Sequence, residues 1–158
     1  MHMRGRPEEW RKLSPLPDTT DLMKRELREW SDAAMAAGIV RERIVVDPGF
    51  GFGKNFDENY PLLSRLNELE ELGFPVLAGT SRKSFIGRTL ESVGLPGGTD
   101  DRLTGSVAAM VASVLNGAQI VRVHDVAEAR QAVAVVDEIL KAKGISHEGH
   151  EGFTKDAT

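Results

Sequence analysis

Apolar residues at Leu22, Met23, Leu27, Trp30, Ala33 and Ala34 recur at helical spacing behind the capping candidates Asp18, Thr19 and Thr20. The pattern predicts a helix over 22–37, with Gly38 just past its end. Ile44-Val45-Val46 is a short β-branched run stopped by Asp47-Pro48-Gly49, the signature of a buried strand. A second helix is predicted from a cap at Asp57 to about 72, with Leu62, Leu63, Leu66 and Leu69 on one face and Gly73 behind it. A second strand follows over 75–79, then a short helix and a loop marked by Gly94, Pro96, Gly97 and Gly98. An apolar helix over 103–115 stops at Asn116-Gly117. A third strand covers 119–123, and Asp125 caps a last helix to about 141. Pro7, Pro15 and Pro17 leave residues 1–17 a loop with at most one short helical turn. The polar run after about 143 is expected to be a disordered tail, so the chain divides into 1–142 and 143–158.

Strict alternation of helices with short apolar strands means parallel βα units and an α/β fold. A doubly wound sheet and a (β/α)8 barrel both fit. A full barrel needs about 250 residues, so three strands by themselves favour a small open sheet.

Composition narrows the partners. The chain has 158 residues, 41% hydrophobic and 28% charged, with net charge −4 and no basic block. Nucleic acid and anionic membranes are therefore disfavoured. Cysteine is absent, which excludes disulfides and thiolate metal sites. No apolar run approaches the roughly 18 residues of a membrane span, and residues 1–6 lack the apolar core of a signal peptide. A cytoplasmic location is the default expectation.

All three predicted strands turn polar at their carboxyl ends, the ligand face of parallel α/β folds. Asp47 could accept paired hydrogen bonds from a planar N–C–N edge, or could bond its own backbone in the turn before Pro48-Gly49. Both readings stand. Gly49-Phe50-Gly51-Phe52-Gly53-Lys54 fails as a phosphate-binding P-loop: its first glycine would fall on Pro48, and Asn55 lacks the hydroxyl required after the lysine. It remains a loop whose Phe rings could stack on a flat heterocycle, one of them folding back into the core. Ser81-Arg82-Lys83-Ser84 hands a strand over to a helix, with cations, hydroxyls and backbone N–H groups suited to an anion; an ordinary solvated helix start is the alternative. Arg122 and His124 lie two apart in a strand and share a side, as a diphosphate site needs, although a histidine there could equally be a satisfied core residue. Spacing does not decide Met1, His2 or Met3. His147 and His150 read as solvent-facing.

Five segments carry a resemblance: Met1-His2-Met3-Arg4-Gly5, Asp47–Lys54, Gly79-Thr80-Ser81-Arg82-Lys83-Ser84, Arg102-Leu103-Thr104-Gly105-Ser106 and Arg122-Val123-His124-Asp125. Together and in this order they resemble dihydropteroate synthase, the folate-pathway enzyme that sulfonamides inhibit. The resemblance implies a (β/α)8 barrel, of which this chain would be the C-terminal half: strands six to eight with flanking helices. It implies that p-aminobenzoate displaces diphosphate from (7,8-dihydropterin-6-yl)methyl diphosphate, with Mg²⁺ assisting. It places Asp47, Lys83, Phe52 and Met1 at the pterin, Ser84 and Arg82 at p-aminobenzoate, and Arg122 and His124 at the diphosphate. The family's Mg²⁺-binding Asn has no counterpart here, so no metal ligand is expected in this chain. The full-length family is expected to be a homodimer. The isolated chain is expected to show little or no turnover, and its unpaired strand edges favour association. The competing expectation is a non-catalytic pterin-binding or assembly module, or a pterin-binding methyltransferase domain.

Overall fold

Capping sets where the first helix begins. In the computed structural model, which describes residues 1–144, Asp18 is extended and accepts a hydrogen bond from the Asp21 N–H (3.0 Å). Helix α1 therefore runs Thr19–Ala36, and Gly38 follows at φ +94°. Met23 and Leu27 enter the core, whereas Trp30 stays exposed and stacks on the ring of His2. The segment before α1 holds one short 3-10 turn, Pro7–Lys12.

The second helix differs from its prediction. Helix α2 spans Phe56–Ser64, and its N-cap is Asn55, whose backbone N–H donates to Glu58 Oε2 (2.6 Å). Asp57 lies inside the helix, one position beyond its start. The chain then tightens into a 3-10 turn over Leu66–Leu72. Two contacts explain the break. Asn116 Nδ2 donates to the Leu63 carbonyl (3.0 Å), and Arg65 is drawn across to Asp18 (2.7 Å). The apolar face survives, because Leu62, Leu63, Leu66, Leu69 and Leu72 are all buried.

The strands form in the predicted places but are shorter. Strand β1 (Leu77–Ala78) pairs in parallel with β2 (Ile120–Val121), and Val46 bridges to Val76, also in parallel. Of the run predicted at 44–46 only Val46 joins, and Val45 is exposed. Ladder bonds tie this segment to β1, from Val46 N–H to Pro75 O and from Leu77 N–H to Val46 O, and on its other side, among the described residues, only the His2 N–H reaches it, at Asp47 O (2.7 Å). With so few partners on that side the segment stays short. The α/β class and the parallel sense are as expected.

Helix α3 (Ser84–Ser92), a 3-10 turn (Thr99–Arg102), α4 (Leu103–Leu115) and α5 (Val126–Ala142) complete the order. The main core joins Met23, Leu27, Phe50, Leu62, Leu66, Val76, Phe85 and Ile86, while Val114, Val136 and Leu140 form a smaller cluster between α4 and α5. The predicted tail lies outside the described residues except for Lys143 and Gly144, as do His147 and His150. Among the described residues no helix is long and apolar enough to cross a membrane. The parallel sense brings Asp47, Gly79–Ser81 and Arg122–His124 out at the same end of the sheet.

Candidate functional site

Asp47 leaves the first strand segment directly into the glycine loop. Its Oδ1 accepts from the Gly49 N–H (2.7 Å), the turn bond foreseen as one of its two roles. Its Oδ2 lies 3.9 Å from an Arg122 guanidinium nitrogen. The carboxylate is thus nearly buried yet retains one oxygen against a cation. The loop is wound tightly against the first residues of the chain. Gly49 and Gly53 take φ of +66° and +69°, and a Cβ on either would strike a backbone carbonyl, that of His2 or of Arg4.

The two loop phenylalanines part company. Phe50 is buried against Phe85 in the core. Phe52 is half-buried, with Trp10 edge-on at 5.7 Å and Lys83 Nζ 3.8 Å above its ring. That cation–π contact fixes the ammonium at the edge of the site. Burial, then the neighbouring Arg122 charge, lowers the Lys83 pKa, while Asp47 works against both. Met1 is exposed; a Cβ on Gly49 would come within 3.4 Å of its side chain.

After β1 and β2 the polar residues surround an open cavity of about 350 Å³ lined by Gly79, Ser81, Arg82, Lys83, Thr99, Arg122 and His124. That volume lies within the range of small-molecule sites. Ser81 Oγ accepts the His124 backbone N–H (3.2 Å) and lies 3.0 Å from His124 Nδ1. The serine proton is then free to go to Nδ1, which leaves the Nε2–H of a neutral imidazole as a donor. His124 is exposed, so the core-histidine alternative does not hold. Arg122 is also exposed, its side chain at 58%.

Arg82 behaves differently from a free cation. Its guanidinium is bound to both oxygens of Asp125 (2.6 and 3.2 Å). This pair raises the Arg82 pKa and lowers that of Asp125. Asp125 does occupy the N-cap position of α5, but its side chain serves Arg82 and not the helix. Ser84 is exposed as the first residue of α3 and does not line the cavity. The structure therefore gathers Asp47, Lys83, Arg122, His124 and the side of Phe52, and leaves Ser84 and Met1 at the margin.

Three participants escaped the sequence reading. Thr99 reaches the cavity from the first position of the 3-10 turn that follows α3. His2 is fully buried, with Nε2 2.7 Å from Glu26, and Lys54 Nζ meets His2 Nδ1 at 3.1 Å. His2 and Lys54 stand 52 positions apart, so no local spacing could pair them.

A profile described as pterin binding enzyme matches residues 1–124. The chain belongs to the pterin-binding enzyme family. Within that family it is 42% identical over 143 residues to the dihydropteroate synthase of Escherichia coli strain K12, covering 90% of this chain and 49% of that protein. It is 46% identical over 138 residues to the dihydropteroate synthase of Neisseria meningitidis serogroup B, covering 85% and 47%. Among solved structures, Yersinia pestis dihydropteroate synthase with a sulfonamide drug complex superposes with a TM-score of 0.82 at 39% identity, covering 89% of this chain and 50% of that one. The Thermus thermophilus enzyme in complex with 4-aminobenzoate gives 0.77 at 38%, covering 87% and 54%. The chain spans about half the length of the relatives it matches.

Proposed function

We propose that this pterin-binding chain contributes the second half of a dihydropteroate synthase site, built on strands six to eight of a (β/α)8 barrel by residues 1–142. The observation that carries the reading is the convergence of Lys83, Arg122 and His124 on one cavity with Asp47 at its edge. A pterin presents an amino-oxo edge to a carboxylate and a flat face to an aromatic. A diphosphate requires cations and N–H donors. Both requirements are met within one side-chain length.

In this reading the amine lone pair of p-aminobenzoate attacks the methylene carbon on pterin C6. The carbon–oxygen bond to diphosphate breaks, its electron pair leaves on the diphosphate oxygen, and the new C–N nitrogen releases its extra proton to solvent or to the departing diphosphate. Arg122, Lys83 and the His124 Nε2–H stabilise the charge that gathers there. Asp47 holds the pterin edge, and Phe52 and Met1 border its face. The start of α3, with Ser84 and the turn that Arg82 holds, receives the p-aminobenzoate carboxylate. Mg²⁺ is proposed to be held through the family's Asn, which has no counterpart in this sequence, and no step runs through it. The same reading extends to a cytoplasmic homodimer for the complete protein.

The test is a calorimetric titration of (7,8-dihydropterin-6-yl)methyl diphosphate into the chain and into Lys83→Ala. Loss of a hydrogen bond to a charged group weakens binding by about tenfold or more, and that drop is expected here. Binding indifferent to the substitution would count against the synthase reading and favour a methyl-transfer relative. With p-aminobenzoate and Mg²⁺ added, the unmodified chain is expected to turn over weakly or not at all.

A further inference from the structure

The glycine loop has no secondary structure of its own, yet it must hold Asp47 and Phe52 at fixed places. Its backbone ties are Phe52 N–H to Gly49 O (3.0 Å), Gly51 N–H to Asn59 Oδ1 (2.8 Å), Gly49 N–H to Asp47 Oδ1 (2.7 Å), Arg4 N–H to Phe52 O (3.3 Å) and, at its start, His2 N–H to Asp47 O (2.7 Å); none of them joins Gly49 to both Phe52 and His2. At the centre of the coil lies the ammonium of Lys54, a residue only 7% exposed. Lysine normally runs its charged end out to water, and a buried ammonium is costly unless each proton finds an acceptor. Here all three do: Gly49 O at 2.8 Å, Phe52 O at 3.2 Å and His2 Nδ1 at 3.1 Å.

We propose that Lys54 is the positioning residue of the ligand loop, its buried Nζ gathering the Gly49 and Phe52 carbonyls and the His2 ring and so setting the places of Asp47 and Phe52. The link to Asp47 runs through Gly49, whose N–H is bound by the Asp47 carboxylate while its carbonyl is bound by Lys54. The link to Phe52 is direct, and the ring then carries Lys83. His2 is held on its other side by Glu26 and by the face of Trp30. The anchor therefore ties the loop to α1. Lys54 does not line the cavity, so it acts through the loop and not on a ligand. Burial lowers its pKa to about 7. Both protonation states can donate to the two carbonyls, and only the ammonium also supplies His2.

The pterin part of this inference rests on the proposed function, and the experiment separates the two. Hydrogen exchange is followed by mass spectrometry in the chain and in Lys54→Met, which keeps the length of the side chain and removes its donors. Exchange over residues 48–53 is expected to accelerate by about tenfold, the effect of losing a charged hydrogen bond, while residues 76–82 and 120–124 keep their rates. Affinity for 6-hydroxymethylpterin should fall by a similar factor, and affinity for pyrophosphate should not fall with it. Unchanged loop exchange would overturn the inference. So would equal acceleration everywhere, which would make Lys54 a general stabiliser, or parallel loss of both ligands. If the unmodified chain binds no pterin, the proposed function fails and loop exchange alone still decides this point. Lys54→Arg retains charge and donors and should restore most of the loop's protection; a loop as free as in Lys54→Met would count against a donor role.

Discussion

His2 illustrates how a single residue can carry a solution property. Its pKa is pushed from 6.5 down to about 4, first by burial and then by the charge of Lys54, with Glu26 opposing both. Once the chain unfolds the ordinary value returns. Between about pH 4 and 6.5 the unfolded state therefore takes up a proton that the folded state refuses. The stability tied to His2 is intact above that window and is lost as pH falls through it. The urea midpoint should accordingly drop on acidification, and His2→Phe should flatten the slope over the same range. An unaltered slope would show that other groups control it. The sequence could expose Asp47, Lys83, Arg122 and His124 because each stands at the end of an apolar run, where polar residues are conspicuous. It could not expose His2 or Lys54, whose significance lies in partners brought together only by folding.

At the level of elements, helices were more legible than strands. The α4 boundaries follow from an apolar run closed by Asn116-Gly117, whereas α1 starts at Thr19, three residues before its predicted start, because Asp18 is the residue that caps it. The strand at 44–46 dwindled because β structure depends on neighbours that local sequence does not supply. The turn between β1 and α3 was only partly readable. Its Arg82 is the one non-glycine residue among those described with positive φ, at +57°. Three elements hold it there: the Ser106 hydroxyl accepts its N–H (2.8 Å), Arg102 donates to its carbonyl (2.9 Å), and Asp125 binds its guanidinium. A left-handed residue with a Cβ costs about 1 kcal/mol relative to glycine. Both substitutions remove the Asp125 contact, so Arg82→Gly should exceed Arg82→Ala in stability by that amount in denaturant titrations. Equal stabilities would mean that the turn relaxes once the guanidinium is gone.

For the molecule as a whole, the parallel α/β class was evident from alternation, whereas the choice between an open sheet and a barrel was not, because three strands satisfy both. The five ordered motifs, and not periodicity, pointed beyond the open sheet. At the cavity Arg122 faces Asp47 from across the strand ends, at 3.9 Å. On the proposed function, a diphosphate would have to draw that guanidinium away from its internal counter-ion. Doing so strips Asp47 of its nearest cation and leaves a barer acceptor for an amino-oxo edge. Linkage requires the effect to be mutual: each ligand should raise the affinity for the other by the same factor. Saturating pyrophosphate is expected to tighten 6-hydroxymethylpterin binding in the unmodified chain but not in Arg122→Ala, and equal tightening in both would refute the exchange. The two ends of the substrate would then help one another into place through a side chain that can answer to only one of them at a time.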